Sequence, residues 1–423
     1  MGAVQWDADA DHAVFEYAPA FLGSGIEVAP LQMPLARGGF RFPQLRAETF
    51  SGLPGLLADS LPDRYGHALI DAWLARQGRT PDSFNPVERL CYIGTRGMGA
   101  LEFTPTLGPK AQDSQELQVD ALVSLASEIL SQRTDMQARL GEDAETQEGL
   151  RQILQVGTSA GGARAKAVVA WNPTTDEVRS GQVPVAEGFE PWLLKFDGVR
   201  GNRDKELEDP QGYGRIEYAY HRMAVASGIA MEPCRLLEEH GRAHFMTRRF
   251  DRTSEGKKVH MQSLGAMAHF DYNLAGAHGY EQAMLVMRQL GMGLDAVEQQ
   301  LRRMIFNVVA RNQDDHVKNI AYLMDKAGQW TLSPAFDVTY SYRPDGQWTG
   351  RHQMSVNGKR DDFALEDLRA CARAAGLKER RAEVLLREVL DAVEEWPQFA
   401  QEAGVPAPSA AAIRGVMRLA WKG

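Results

Sequence analysis

The chain has 423 residues, more than one ordinary domain, and two or three domains of about 150 residues are expected. It is 44% hydrophobic and 24% charged, which suits a globular chain with a core to bury and excludes a collagen-like, mucin-like or wholly disordered protein. Lys and Arg number 47 against 56 Asp and Glu, and the net charge of −9 argues against broad, non-specific nucleic-acid binding.

The opening MGAVQWDADADH is acidic where a secretory signal needs a basic start and an apolar run. No stretch approaches the ~20 consecutive apolar residues of a membrane helix. Cys91, Cys234 and Cys371 form no CxxC pair, so neither a zinc ribbon nor a disulfide framework is indicated. These features predict a cytoplasmic protein without a membrane role. Residues 1–107 read as a small α+β unit. It has an extended stretch at 13–17, a Gly- and Pro-rich loop, the segment 50–61, and a helix over 63–77 with Asp63 in its first turn and Gly78 just beyond its end. A Pro-punctuated helix, a Gly-rich turn and a short strand ending at Pro105 follow. Residues 108–150 read as a linker with a connecting helix at 119–132, whose Leu122, Leu125, Ile129 and Leu130 have amphipathic spacing, and then a solvated acidic run. Residues 151–252 are sheet-rich. Buried strands are expected at 167–171 and 192–196, a helix at 215–227 closed by Gly228, and a hairpin of 234–238 with 244–250 across His240-Gly241-Arg242. Residues 253–423 are helix-rich, with a helix at 297–310, short strands at 321–324 and 330–332, and helices at 365–375, 379–394 and 409–421.

The sharpest chemical signal is Asn312-Gln313-Asp314-Asp315-His316-Val317-Lys318-Asn319. Asn319 lies five residues after Asp314, and Asp337 follows eighteen residues later in Ser333-Pro334-Ala335-Phe336-Asp337. Phosphoryl transfer needs a carboxylate to orient an incoming hydroxyl and hard oxygen ligands for the magnesium that bridges nucleotide phosphates. Protein kinases use this D-x-x-x-x-N…D spacing. Against it stands a polar turn after a helix that happens to hold two acids.

A second motif is Gly157-Thr158-Ser159-Ala160-Gly161-Gly162-Ala163-Arg164-Ala165-Lys166, entering a strand. Small residues in succession let backbone N–H groups approach phosphate oxygens, although a Gly-rich hairpin turn has the same composition. It is not a Walker A loop, since its Lys leads into a strand rather than a helix. Lys195 stands alone among apolar neighbours and suits a phosphate contact or an edge strand from which it snorkels. Glu217 could pair with Lys195, but reads more simply as an exposed helix carboxylate. Residues 245–252 have the form of a strand running into an interlobe hinge, where Asp251 either reaches a ribose or closes a salt-bridged turn. His316 reads as a hydrogen-bonding member of the loop with no proton-transfer role.

Together these segments resemble the HipA family, the serine/threonine-kinase toxins of bacterial type II toxin–antitoxin modules. The resemblance is carried by FSGLPGLLADSLPD at 50–63, YIGTRGMGAL at 92–101, the loop from Ser159 to Lys166, Arg249-Phe250-Asp251-Arg252, Asp314 to Asn319, and Phe336-Asp337. It implies an α+β, two-lobed, protein-kinase-like fold with an N-terminal α+β subdomain. Residues 151–252 would then be the nucleotide-binding sheet lobe and 253–423 the helical catalytic lobe. The activity implied is ATP- and Mg²⁺-dependent phosphorylation with Asp314 as catalytic carboxylate and Asn319 and Asp337 as metal ligands. The ATP-binding set would be Ser159, Ala160, Gly161, Gly162, Lys166, Lys195, Arg248, Phe250, Asp251, His316 and Lys318. Ser159 matches the family's autophosphorylated serine, whose modification switches the kinase off. The implied partners are a HipB-like helix-turn-helix antitoxin, operator DNA mainly through that antitoxin, and an aminoacyl-tRNA synthetase as substrate, with growth arrest or persistence as the outcome. Two positions depart from the family: Arg164-Ala165 where a Gln-Glu-like pair is commoner, and Asp315 where a small residue commonly follows the catalytic Asp. The competing readings are a small-molecule phosphotransferase and a catalytically idle, antitoxin-binding co-regulator.

Overall fold

The computed structural model describes residues 1–109, 117–131, 152–154, 156, 164–182, 187–199 and 211–421. The chain divides into two compact units, one of residues 1–25, 35–214 and 233–261, the other of residues 26–34, 215–232 and 262–423.

In the first unit, β1 (Gly2–Asp7) and β2 (His12–Tyr17) form an antiparallel hairpin in register from Gly2↔Tyr17 to Asp7↔His12. Ala13, Phe15 and Tyr17 alternate inward along β2, as the two-residue period of a half-buried strand requires. A short helical turn, Ala47–Phe50, leads into the segment 50–61, which carries a second at Gly55–Ala58. Helix α1 (Arg64–Arg76) is capped by Asp63, whose Oδ1 accepts the Gly66 N–H at 2.8 Å. Helix α2 (Pro86–Ile93) starts with a capping box between Asn85 and Glu88. The strand expected to end at Pro105 is absent. The Phe103 N–H goes to Gly94 O and the Leu107 N–H to Cys91 O, so this backbone folds back on the end of α2 instead of joining a ladder.

Helix α3 (Val119–Ser131) keeps the expected amphipathic face. The sheet is antiparallel, with order β4-β3-β5-β7-β6, built from β3 (Lys166–Trp171), β4 (Val178–Ser180), β5 (Glu190–Lys195), β6 (Cys234–Glu239) and β7 (Arg242–Arg248). The β6–β7 hairpin turns at His240 and Gly241, both with positive φ (46° and 75°), as the two-residue turns that match strand twist demand. Tyr65 and Leu69 of α1, Leu122 and Ile129 of α3, and Val169, Trp192 and Leu194 of the sheet share one buried core. The N-terminal helix and the sheet are therefore stabilised together by the same apolar burial.

In the second unit, α4 (Tyr213–Ala226, its first two residues belonging to the first unit) closes at Gly228, φ 78°. A three-stranded sheet of order β10-β9-β8 is formed by β8 (His260–Ser263, its first two residues belonging to the first unit), β9 (Ala321–Met324) and β10 (Trp330–Leu332). Helices α5 (Tyr280–Gln289) and α6 (Leu294–Ala310) precede β9; α7 (Leu365–Ala374), α8 (Glu379–Glu394), α9 (Trp396–Glu402) and α10 (Ala407–Val416) follow β10. Every residue of α6 from Gln300 to Phe306 is buried, and α8 packs on both α6 and α7. Among the described residues, no helix is long and apolar enough to cross a membrane.

Candidate functional site

Helix α6 stops at Arg311, which turns left-handed (φ 59°) and returns its N–H to Asn307 O. From there Asn312, Gln313, Asp315 and Val317 point inward and are buried, while Asp314, His316, Lys318 and Asn319 sit on the more open side. The loop is pinned by its neighbours: the Gln313 N–H donates to Ser341 O at 3.3 Å and the Gln313 amide to Thr349 O at 3.0 Å.

Asp314 retains 36% of its side-chain exposure and accepts a hydrogen bond at Oδ1 from the Trp348 indole at 2.6 Å. Its backbone carbonyl accepts from Asn319 Nδ2 at 2.8 Å. A carbonyl only accepts, so the amide nitrogen must face it, and Oδ1 is the atom of Asn319 with metal-ligand character. The Val317–Asn319 turn of 3₁₀ helix closes this five-residue step. Asp337 sits in a left-handed backbone conformation (φ 53°). Its segment is anchored by the Ala335 N–H to Ala230 O at 2.8 Å and by Arg303 Nη2 to Ser333 O at 2.7 Å.

Asn319, Asp337 and His316 line one small cavity, together with Tyr280, Asn307 and Asp315. Asp314 stands beside it through its bond to Asn319. Among the described residues no group of three or more His, Cys, Asp or Glu side chains is placed to hold a metal. A magnesium ion needs no such group, since it takes one or two protein oxygens and completes its shell with water and phosphate. The hard oxygens of Asn319 and Asp337 suit such an ion. The same arrangement could orient a hydroxyl at Asp314, the chemistry of phosphoryl transfer.

The expected nucleotide-binding residues fare differently. Ser159, Ala160, Gly161 and Gly162 lie outside the described residues. Lys166, Lys195 and Phe245 form a row across β3, β5 and β7. Lys166 is ion-paired to Asp63 at 3.1 Å, the two side chains only 2% and 8% exposed. Lys195 is buried, with its Nζ 5.7 Å from the centre of the Phe245 ring, within cation–π range. Arg248 is exposed and Phe250 half-buried. Asp251 is the salt-bridged turn rather than a carboxylate open to a ribose. It is fully buried, grips Arg249 through both oxygens at 2.8 and 2.7 Å, and accepts from Arg252 at 2.8 Å and from the Gly99 N–H at 2.7 Å. Burial pushes its pKa up, but Arg249 and Arg252 outweigh that and hold it below the usual carboxylate value. Gly99 is needed for this approach, since its φ is 70° and a Cβ would lie 3.2 Å from the Met261 nitrogen. Glu217 is not an exposed helix carboxylate; it is 1% exposed.

The sequence reading missed Trp348 as the partner of Asp314 and Asp63 as the partner of Lys166. Neither had a spacing signal, for Trp348 lies in an irregular segment and Asp63 is 103 residues from Lys166.

Comparison with known proteins identifies the family and the fold. A family model of the HipA-like C-terminal domain matches residues 158–396, more than half of the chain, and one of the HipA N-terminal domain matches residues 1–104. The chain belongs to the HipA family. One curated protein, the candidate kinase Y4dM of Sinorhizobium fredii (strain NBRC 101917 / NGR234), is 28% identical over 219 residues, 47% of this chain and 52% of that protein. The match thus spans about half the length of this curated relative. A solved chain from the Shewanella oneidensis MR-1 toxin–antitoxin complex of HipA, HipB and operator DNA is similar in structure. Its TM-score is 0.66 at 17% identity, covering 98% of this chain and 92% of that one. The fold is accordingly the α+β, kinase-like, two-lobed fold of HipA.

Proposed function

We propose that this HipA-family chain is an ATP- and Mg²⁺-dependent serine/threonine protein kinase, the toxin of a HipA/HipB-type module. The observation that carries the reading is the tie between Asp314 and Asn319, with Asn319 and Asp337 lining one cavity. Bound Mg²⁺·ATP would supply the electrophilic phosphoryl group, with Asn319 Oδ1 and the Asp337 carboxylate as the protein's metal ligands and Lys195 as a phosphate contact. Asp314 orients the incoming serine or threonine hydroxyl and takes its proton. Trp348 fixes Asp314 Oδ1, which leaves Oδ2 as the accepting atom. Ser159, which matches the family's loop serine, is the autophosphorylation site, and its modification switches the kinase off because a phosphate of about −1.5 to −2 charge cannot share a pocket meant for nucleotide phosphates. The partner is a HipB-like antitoxin that carries the operator-DNA contact, and the substrate is an aminoacyl-tRNA synthetase or another translation protein. The name of the S. fredii relative and the composition of the S. oneidensis complex support this reading without extending to a substrate.

The test is radiolabelled phosphate transfer from ATP, together with growth after induction, for the wild type and Asp314→Ala. The wild type should label itself and protein acceptors and slow growth. Asp314→Ala should lose transfer by at least about 10³-fold, as expected when a group acting on the reacting atoms is removed. Full activity in Asp314→Ala would remove the carboxylate from its role. Transfer to small-molecule acceptors alone would replace a protein kinase by a small-molecule phosphotransferase.

A further inference from the structure

Asp315, next to the proposed catalytic carboxylate, is the best-held side chain of the loop. It is buried and takes three donors: the Tyr280 hydroxyl at 2.7 Å and His352 Nδ1 at 2.8 Å on Oδ2, and the Gln353 N–H at 2.7 Å on Oδ1. His352 is wholly buried, and its other nitrogen, Nε2, faces Arg418 Nη1 at 3.1 Å. A guanidinium only donates, so Nε2 must accept, and the ring proton sits on Nδ1, directed at Asp315. Arg418 belongs to the segment after α10. Its Nη1 also donates to Val308 O at 2.8 Å, its backbone N–H to Val309 O at 2.9 Å, and its Nη2 bonds Asp361. Val308 and Val309 form the last turn of α6, from which the loop departs.

We propose that Asp315, His352 and Arg418 are positioning residues, a buried clamp through which the segment after α10 holds the Asp314–Asn319 loop in its working conformation. Arg418 grips the helix end that launches the loop, and through the imidazole it also fixes the carboxylate beside Asp314. His352 is the member that joins the other two, so its loss takes one donor from a buried carboxylate and one acceptor from the partly buried Arg418 guanidinium at the same time. The clamp rests on the reading of Asp314 as the catalytic carboxylate.

The test compares His352→Leu with His352→Gln in the full chain. Glutamine can donate to Asp315 through its nitrogen and accept from Arg418 through its oxygen; leucine can do neither. Hydrogen exchange of residues 312–319, measured without nucleotide, should accelerate about tenfold or more in His352→Leu and stay near wild type in His352→Gln. With ATP, kcat should fall about 10–100-fold in His352→Leu while KM for ATP moves less than about twofold, the size seen when groups that orient a functional ligand are lost. His352→Gln should recover most of kcat. Wild-type exchange and kcat in His352→Leu, or equal losses in both variants, would overturn the clamp. Should His352→Leu fail to fold, Arg418→Met carries the same comparison: faster loop exchange supports the clamp and unchanged exchange refutes it. If the wild type transfers no phosphate, the kinase reading fails, and the exchange arms still decide the clamp.

Discussion

Two carboxylate sites, one in each unit, hold their charge in opposite ways. In the first, Lys166 is matched by Asp63 and Asp251 by Arg249, Arg252 and the Gly99 N–H, all deep in the protein. In the second, Asp314 keeps more than a third of its exposure and is oriented by an indole N–H and a backbone tie, while Asn319 and Asp337 line a cavity. A buried charge must find its counter-charge inside the protein, so it is committed to structure before any ligand arrives. A charge held by neutral donors at a cavity keeps its electrostatic work for the ligand. Similarity to a family motif does not separate these cases. Asp251 and Asp314 both sit in HipA-like motifs, and of the two only Asp314 keeps exposure, beside the cavity that Asn319 and Asp337 line.

The largest expected consequence is on stability. Asp251→Ala leaves two arginines and a backbone N–H without their carboxylate, and removal of one partner from a buried pair costs about 3–5 kcal/mol. Asp314→Ala removes a partly exposed group with one indole partner and should cost no more than about 1 kcal/mol. Urea unfolding of the two variants measures both. Equal losses would erase the distinction between committed and available charge.

The next effect is the pH dependence that His244 contributes in the first unit. His244 is wholly buried, and its Nδ1 accepts the Asp197 N–H at 2.9 Å, a bond open only to an unprotonated nitrogen. Burial, more than the opposing pull of Asp197, lowers its pKa from 6.5 to about 4. Between those values the unfolded chain binds a proton that the folded chain refuses, so stability falls as pH drops from 6.5 towards 4, by about 3 kcal/mol over the whole window. His244→Asn keeps an acceptor for Asp197 and removes the titration. Urea midpoints between pH 7 and 4.5 should decline more steeply for the wild type than for His244→Asn, and parallel slopes would contradict the assignment.

How much of this was legible in the sequence depends on how local each feature is. The strands Ala321–Met324 and Trp330–Leu332, helix Glu379–Glu394 and the Cys234–Arg248 hairpin follow from apolar period, flanking breakers and a His-Gly turn, all within a few residues. The approach of Asn319 to Asp314 also follows from a five-residue spacing. The strand proposed before Pro105 had apolar residues but no partner to pair with, and no local pattern reveals that. Helix Trp396–Glu402 has no counterpart among the expected helices; Pro397 sits in its first turn, where a missing N–H costs nothing. The alternatives for Asp251 could not be decided from the sequence, because its N–H donor Gly99 is 152 residues away. Asp315 stood out as a departure, but its meaning lies in His352 and Arg418, whose positions in the chain give no hint that they meet.

The smallest effect separates charge from backbone at Asp337. Its φ of 53° lies in the left-handed region, where Asn and Asp are tolerated better than other side chains. Asp337→Asn should therefore keep the fold within a few tenths of a kcal/mol. Asp337→Ala adds a left-handed alanine and should lose up to about 1 kcal/mol more. The charge itself should register elsewhere: both variants should weaken nucleotide binding in the presence of Mg²⁺ by about tenfold, or about 1.4 kcal/mol, and change it little when EDTA is present. Calorimetric titration with and without Mg²⁺ reads the second quantity and urea unfolding the first. Equal Mg²⁺ dependence in the wild type and Asp337→Asn would place Asp337 among the committed charges, alongside Asp251, and would move the proposed metal contact away from this cavity.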